Sequence, residues 1–231
     1  NYCHIGQNQK ALDLCLKALE IRKQLFGDKH PDTSNSYGHV GYVYGLIGDN
    51  TKAMEYNTRA LELCRLLFGE NNIKTADKYC NVGMIHANLG NFEKAIENET
   101  KALNIRKKVL GYNHLDTANS YDNIGLYYSE IQNYQSALNF CIKALEIRKG
   151  LYGDGQCDTA LSYDNIGHIH TKLGKFDQAL QYQSKALELY ISLLGENSIY
   201  TANSYDNVGF DYEKLGEHQK AIENKQKALD I

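Results

Sequence analysis

His168 and His170 stand two residues apart and are the one close histidine pair in the chain. On a helix that spacing turns the two rings to different sides, so they do not offer two ligands to one metal ion. Gly150-x-x-Gly153-x-Gly155 is rich enough in glycine to approach a phosphate, but no P-loop lysine follows it and no strand pattern precedes it. No serine or cysteine sits in a nucleophile motif. Cys3, Cys15, Cys64, Cys80, Cys141 and Cys157 form no Cys-x-x-Cys pair and read as scattered reduced thiols. The chemistry that does recur is that of the amide. Asn81, Asn123, Asn165 and Asn207 lie 42 residues apart, and each side chain presents a donor and an acceptor that match the backbone of an extended peptide. The same amide can equally bond within the fold, and spacing alone leaves both uses open. Asp122, Asp164 and Asp206 precede three of these asparagines. Carboxylates copied with a repeat do not make the unique pair that catalysis needs, so the chain reads as a non-enzyme without metal or cofactor.

The elements that carry these residues repeat with the same phase. Thr33, Thr75, Thr117, Thr159 and Thr201 each precede a tyrosine by four places, and Gly27, Gly69, Gly111, Gly153 and Gly195 keep the 42-residue interval. A period between 20 and 50 residues marks a stacked solenoid. In the copy from Thr117 to Asp158, Thr117 is expected as the N-cap of a first helix. Tyr121, Ile124, Tyr128 and Ile131 form its apolar face. Gly48, Gly90, Gly174 and Gly216 close the other first helices; here Gln132 breaks the pattern, which leaves Asn133 as the expected left-handed residue. A second helix from about Tyr134 to Tyr152 buries Ala137, Cys141, Ala144, Leu145 and Ile147, with Arg148 and Lys149 suited to its C-terminal dipole. Gly41, Gly83, Gly125, Gly167 and Gly209 fall inside first helices, where each costs about 1 kcal/mol against alanine. Close approach to alanines of the second helix, such as Ala137 and Ala144, explains that cost.

Across 231 residues, 42% hydrophobic and 23% charged content is ordinary for a folded chain, and a net charge of −3 argues for neither nucleic acid nor an anionic membrane as partner. No apolar run approaches the roughly 18 residues of a membrane span. The expected architecture is all-α: one array over residues 1–231, with a partial unit 1–32, repeats 33–74, 75–116, 117–158 and 159–200, and a last unit 201–231. The chain opens within one predicted helix and stops within another, as a piece of a longer array does.

Tyr121-x-x-Ile124-Gly125-x-x-Tyr128, followed by Ala137 and Ala144, resembles the tetratricopeptide signature over nearly the whole chain. The stretch from Leu25 to Thr33, with its His30-Pro31 pair, resembles the inter-repeat loop of the kinesin-light-chain type. The aromatic expected four residues after the first second-helix alanine is absent: Asn57, Glu99, Cys141, Gln183 and Lys225 stand there, with Tyr56, Phe140 and Tyr182 one place earlier. The resemblance implies a right-handed superhelical solenoid of antiparallel helix hairpins, with first helices lining a concave groove. The implied groove residues are Asn81, Asn123, Asn165 and Asn207 with Asp122, Asp164 and Asp206, together with His39, Tyr42, Met84, Leu126, His168 and Phe210. Such a groove binds a peptide or helix of a partner protein, and the three acids would bias it toward neutral or basic ligands. The implied function is a cytoplasmic interaction scaffold, one version being a cargo or assembly adaptor. Two alternatives are a regulatory sensor array of a larger signalling protein or enzyme, and an array that self-associates end to end.

Overall fold

The computed structural model describes residues 2–231, with side chains from Gln7 onward. First helices begin at Pro31, Ile73, Leu115, Cys157 and Ile199, one every 42 residues, so the sequence period is the period of the helices. The described residues contain eleven helices and no strand. They divide into two units, residues 1–111 and residues 112–231. In the first, α1 (Tyr2–Phe26) packs on α2 (Pro31–Ile47), α2 pairs with α3 (Asn50–Phe68), and α4 (Ile73–Asn88) pairs with α5 (Phe92–Val109). In the second, α6 (Leu115–Glu130) pairs with α7 (Tyr134–Tyr152), α8 (Cys157–Lys172) with α9 (Phe176–Leu194), and α10 (Ile199–Lys214) with α11 (His218–Asp230).

The threonine and glycine markers hold one another. Thr33 Oγ1 donates to the Gly27 carbonyl at 2.8 Å, Thr75 to Gly69 at 2.8 Å, Thr159 to Gly153 at 3.1 Å and Thr201 to Gly195 at 2.8 Å. Each bond fastens the start of a first helix to the end of the preceding second helix, so an insertion between the two markers would break it. This use of the hydroxyl corrects the expectation that Thr117 and its copies are N-caps. The caps lie three residues earlier, at His30, Asn72, His114, Gln156 and Ser198; His114 Nδ1, for example, accepts from the Asp116 amide at 3.1 Å.

The turn after α6 gives a second correction. Gln132, not Asn133, adopts the left-handed conformation, at φ +60°. It occupies the same place in the period as Gly48, Gly90, Gly174 and Gly216, all with positive φ. Asn133 is needed elsewhere: its Oδ1 caps α7 by accepting from the Ser136 amide at 3.2 Å.

Close helix approach accounts for the central glycines. A Cβ placed on Gly125 would lie 3.1 Å from the Ala137 carbonyl oxygen and collide with Cys141 Sγ. Ala137 and Ala144 are fully buried, as are their copies Ala53, Ala60, Ala95, Ala102, Ala179 and Ala186. Phe140 fills the space between two first-helix rings, 5.9 Å from Tyr121 and 5.5 Å from Tyr128, and Tyr56 does the same beside Tyr37 and Tyr44. The described cysteines, Cys15, Cys64, Cys80, Cys141 and Cys157, are free thiols; the Cys3 side chain lies outside the described residues.

Candidate functional site: the first-helix faces

The period places the ladder residues at the same station of successive first helices. Asn81 on α4, Asn123 on α6, Asn165 on α8 and Asn207 on α10 are all half-buried. Their bonding differs. Asn207 Nδ2 donates to Asp164 Oδ1 at 3.1 Å, which ties α10 to α8. Asn81, Asn123 and Asn165 make no side-chain hydrogen bond among the described residues, so those amides keep their full capacity for a partner.

The three aspartates do not form an exposed acidic stripe. Asp122 is buried, 6% exposed in its side chain, and is ion-paired with Arg148 of α7. Arg148 also donates to Ser162 of α8 and to Asn119 Oδ1 at 2.7 Å, so one guanidinium joins α6, α7 and α8. Arg148 is therefore a buried connector rather than a dipole cation, and it neutralises the charge that the groove was expected to gain from Asp122. Asp164 is half-buried, and burial lifts its carboxyl above the ordinary range despite the Asn207 bond. Asp206 alone of the three is exposed.

Two pockets gather Tyr42, Met84, His168 and Phe210. In the first unit a pocket of about 240 Å³ between α2 and α4 is lined by Tyr42, Leu46, Asn57, Asn81, Met84 and Ile85. Tyr42 and Met84 stay exposed at 55% and 42%, though both are large and apolar. In the second unit a cleft of about 450 Å³ between α8 and α10 is lined by His168, Thr171, Lys172, Asp206, Asn207 and Phe210. Lys172 Nζ pairs with Glu130 of α6 at 2.8 Å, and Lys214 lies 4.9 Å from the centre of the exposed Phe210 ring. Leu126 is half-buried on α6, and neither pocket includes it. A larger depression of about 770 Å³ between α1 and α3 involves none of the ladder residues.

His39 and His168 are exposed. Partial burial, then Lys78 and Arg22, holds His39 below its usual pKa; partial burial and Lys172 do the same for His168. His170 is buried and stacks on Tyr182 at 5.5 Å, so the two rings of the His168–His170 pair lie on different sides of α8.

One buried group had escaped sequence reasoning. Asp211 is fully buried where Val43, Ile85 and Ile169 stand in other copies. Thr171 Oγ1 donates to it at 2.9 Å, and with the Gln183 amide turned to the orientation its neighbours demand, that nitrogen donates to the other oxygen at 2.8 Å. Burial pushes its pKa up to about 6. The signal was legible as a carboxylate in an otherwise apolar column.

No helix among the described residues is long and apolar enough to cross a membrane. Compared with solved structures, the chain is similar to BtubC (BKLC) from P. vanneervenii, at 19% identity and a TM-score of 0.84, covering 96% of this chain and 90% of that one. It is similar to a putative kinesin light chain with nearly identical TPR-like repeats from Podosopora anserina, at 14% identity and a TM-score of 0.74, covering 87% and 95%. A Rap protein complexed with Competence and Sporulation Factor is 19% identical with a TM-score of 0.75, over 94% of this chain and 58% of that one. These likenesses establish a shared helical-repeat fold. No curated protein is significantly similar in sequence. The sequence profile of the tetratricopeptide repeat matches residues 1–66, 74–155 and 158–231, and the chain belongs to that family.

Proposed function

We propose that the chain is a non-catalytic scaffold whose first-helix faces hold a segment of a partner protein. One observation carries this reading: Asn81, Asn123 and Asn165 leave half-buried amides unpaired, and Asn81 does so beside the exposed Tyr42 and Met84. Amides of this kind grip the N–H and C=O groups of a peptide of any sequence, and neighbouring pockets select its side chains. The Rap protein solved with Competence and Sporulation Factor supports ligand binding as a use of this fold. A role as a cargo or assembly adaptor is one form of the same activity. Free thiols suit a reducing compartment, and we place the protein in the cytoplasm on that ground. Selection of displayed peptides on the whole chain, followed by photo-crosslinking of a selected peptide, tests the reading. Crosslinks on first-helix faces support it, whereas crosslinks confined to second helices contradict it.

A further inference from the structure

Behind each central glycine the second helix places a polar residue that differs in every copy: Asn57, Glu99, Cys141, Gln183 and Lys225. A Cβ on Gly41 would collide with the Asn57 side chain, so the glycine is what admits that residue toward the space between α2 and α4. Asn57 is 1% exposed. Its Nδ2 donates to the Ala53 carbonyl at 2.9 Å, which fixes the amide, because the reverse orientation would set two oxygens against each other. Its Oδ1 is then buried without a hydrogen-bond partner. A buried acceptor left unpaired calls for a donor, and Asn57 lines the 240 Å³ pocket beside Tyr42 and Met84.

The pocket walls narrow the choice of donor. Tyr42, Leu46, Met84 and Ile85 require an apolar body, and a cavity of roughly 150 Å³ already holds a benzene ring. Asn81 lines the same pocket with an amide that makes no hydrogen bond among the described residues. A hydroxyl has the capacity for both, a donor for Asn57 Oδ1 and an acceptor for Asn81 Nδ2. An indole N–H donates only, and a plain phenyl ring does neither. We propose that this pocket receives a tyrosine side chain of the partner segment, with Asn57 as its specificity-determining residue. The proposal rests on the reading that first-helix faces bind a protein segment.

The probe is p-cresol, titrated against toluene and indole into the full chain carrying labelled methionine methyls and amide nitrogens. Met84 reports the pocket, and Met54, packed against the core, is the internal reference. Saturable shifts at Met84 and the Asn57 amide, with p-cresol about tenfold tighter than toluene or indole, are expected. Asn57→Leu should reduce p-cresol to the level of toluene. If that variant does not fold, Asn81→Ala at its half-buried site carries the same test, with a smaller loss expected. Equal binding of toluene and p-cresol, or a p-cresol affinity unchanged in a folded variant, overturns the proposal. Peptides selected on the chain supply a separate arm. If Tyr→Phe in the peptide weakens binding to the native chain but not to the Asn57 variant, the pocket is supported. Peptides indifferent to that change overturn the tyrosine pocket and leave segment binding standing. Failure to select any peptide overturns segment binding, and the p-cresol titration still decides the pocket.

Discussion

Asn207 donates its amide to Asp164 across 3.1 Å, so one rung of the asparagine ladder is already occupied by the neighbouring first helix. The other three rungs have no such bond. Position in the repeat therefore does not fix the role of the amide; its neighbours do. Asn207→Ala should lower unfolding stability by about 1 kcal/mol, the ordinary worth of a hydrogen bond. Asn123→Ala and Asn165→Ala should leave stability nearly unchanged. Urea unfolding of the three variants checks this, and equal losses at all three sites would contradict the division.

Gln132 holds φ +60° at a station where four copies use glycine. A residue with a Cβ pays roughly 1–2 kcal/mol for that conformation. Gln132→Gly should therefore raise stability by about 1 kcal/mol, after the greater chain entropy of unfolded glycine is deducted. Thermal melting reads the change, and a destabilised variant would argue for a contact made by the Gln132 side chain.

Arg148 and Asp122 illustrate a different kind of dependence. Both are buried, and removing one partner strands the other charge. Arg148→Leu should cost about 3–5 kcal/mol. Arg148→Leu combined with Asp122→Leu should recover much of that loss, which a double-mutant cycle in urea measures directly.

Asp211 should make stability depend on pH in an unusual direction. Its folded pKa of about 6 lies above the ordinary value of 3.8. Between those values the folded state binds more protons than the unfolded state, so this group's contribution rises as pH falls from 7 toward 4 and is lost above pH 6. Asp211→Asn removes the effect. The native chain should therefore gain on that variant, by on the order of 2 kcal/mol, between pH 7 and pH 4. A constant difference between the two melting curves would refute the assignment.

Much of the fold was legible because backbone geometry, copied at every repeat, dictated it. Buried alanines and left-handed glycines recur in most of the hairpins, and the threonine–glycine clasp holds the starts of four first helices. Gln132 shows the limit: the slot, not the residue type, sets the backbone, and a glycine preference is only an economy. The candidate site was less legible for a related reason. Asp122 shares a column with Gly38 and Cys80, and its burial depends on Arg148, which lies 26 residues away on another helix. Spacing along a chain predicts which face a residue takes, but it does not say which charge will meet it there. Asn57 behind Gly41 is of the same kind, since its pocket exists only once α2 and α4 lie side by side.

Unpaired amides on first-helix faces are proposed to hold a partner segment. The most direct measurement is fluorescence anisotropy of a peptide selected on the native chain, repeated with Asn123→Ala/Asn165→Ala. Affinity at least about tenfold weaker is expected, with thermal melting unchanged. Native affinity in a folded double variant would contradict it.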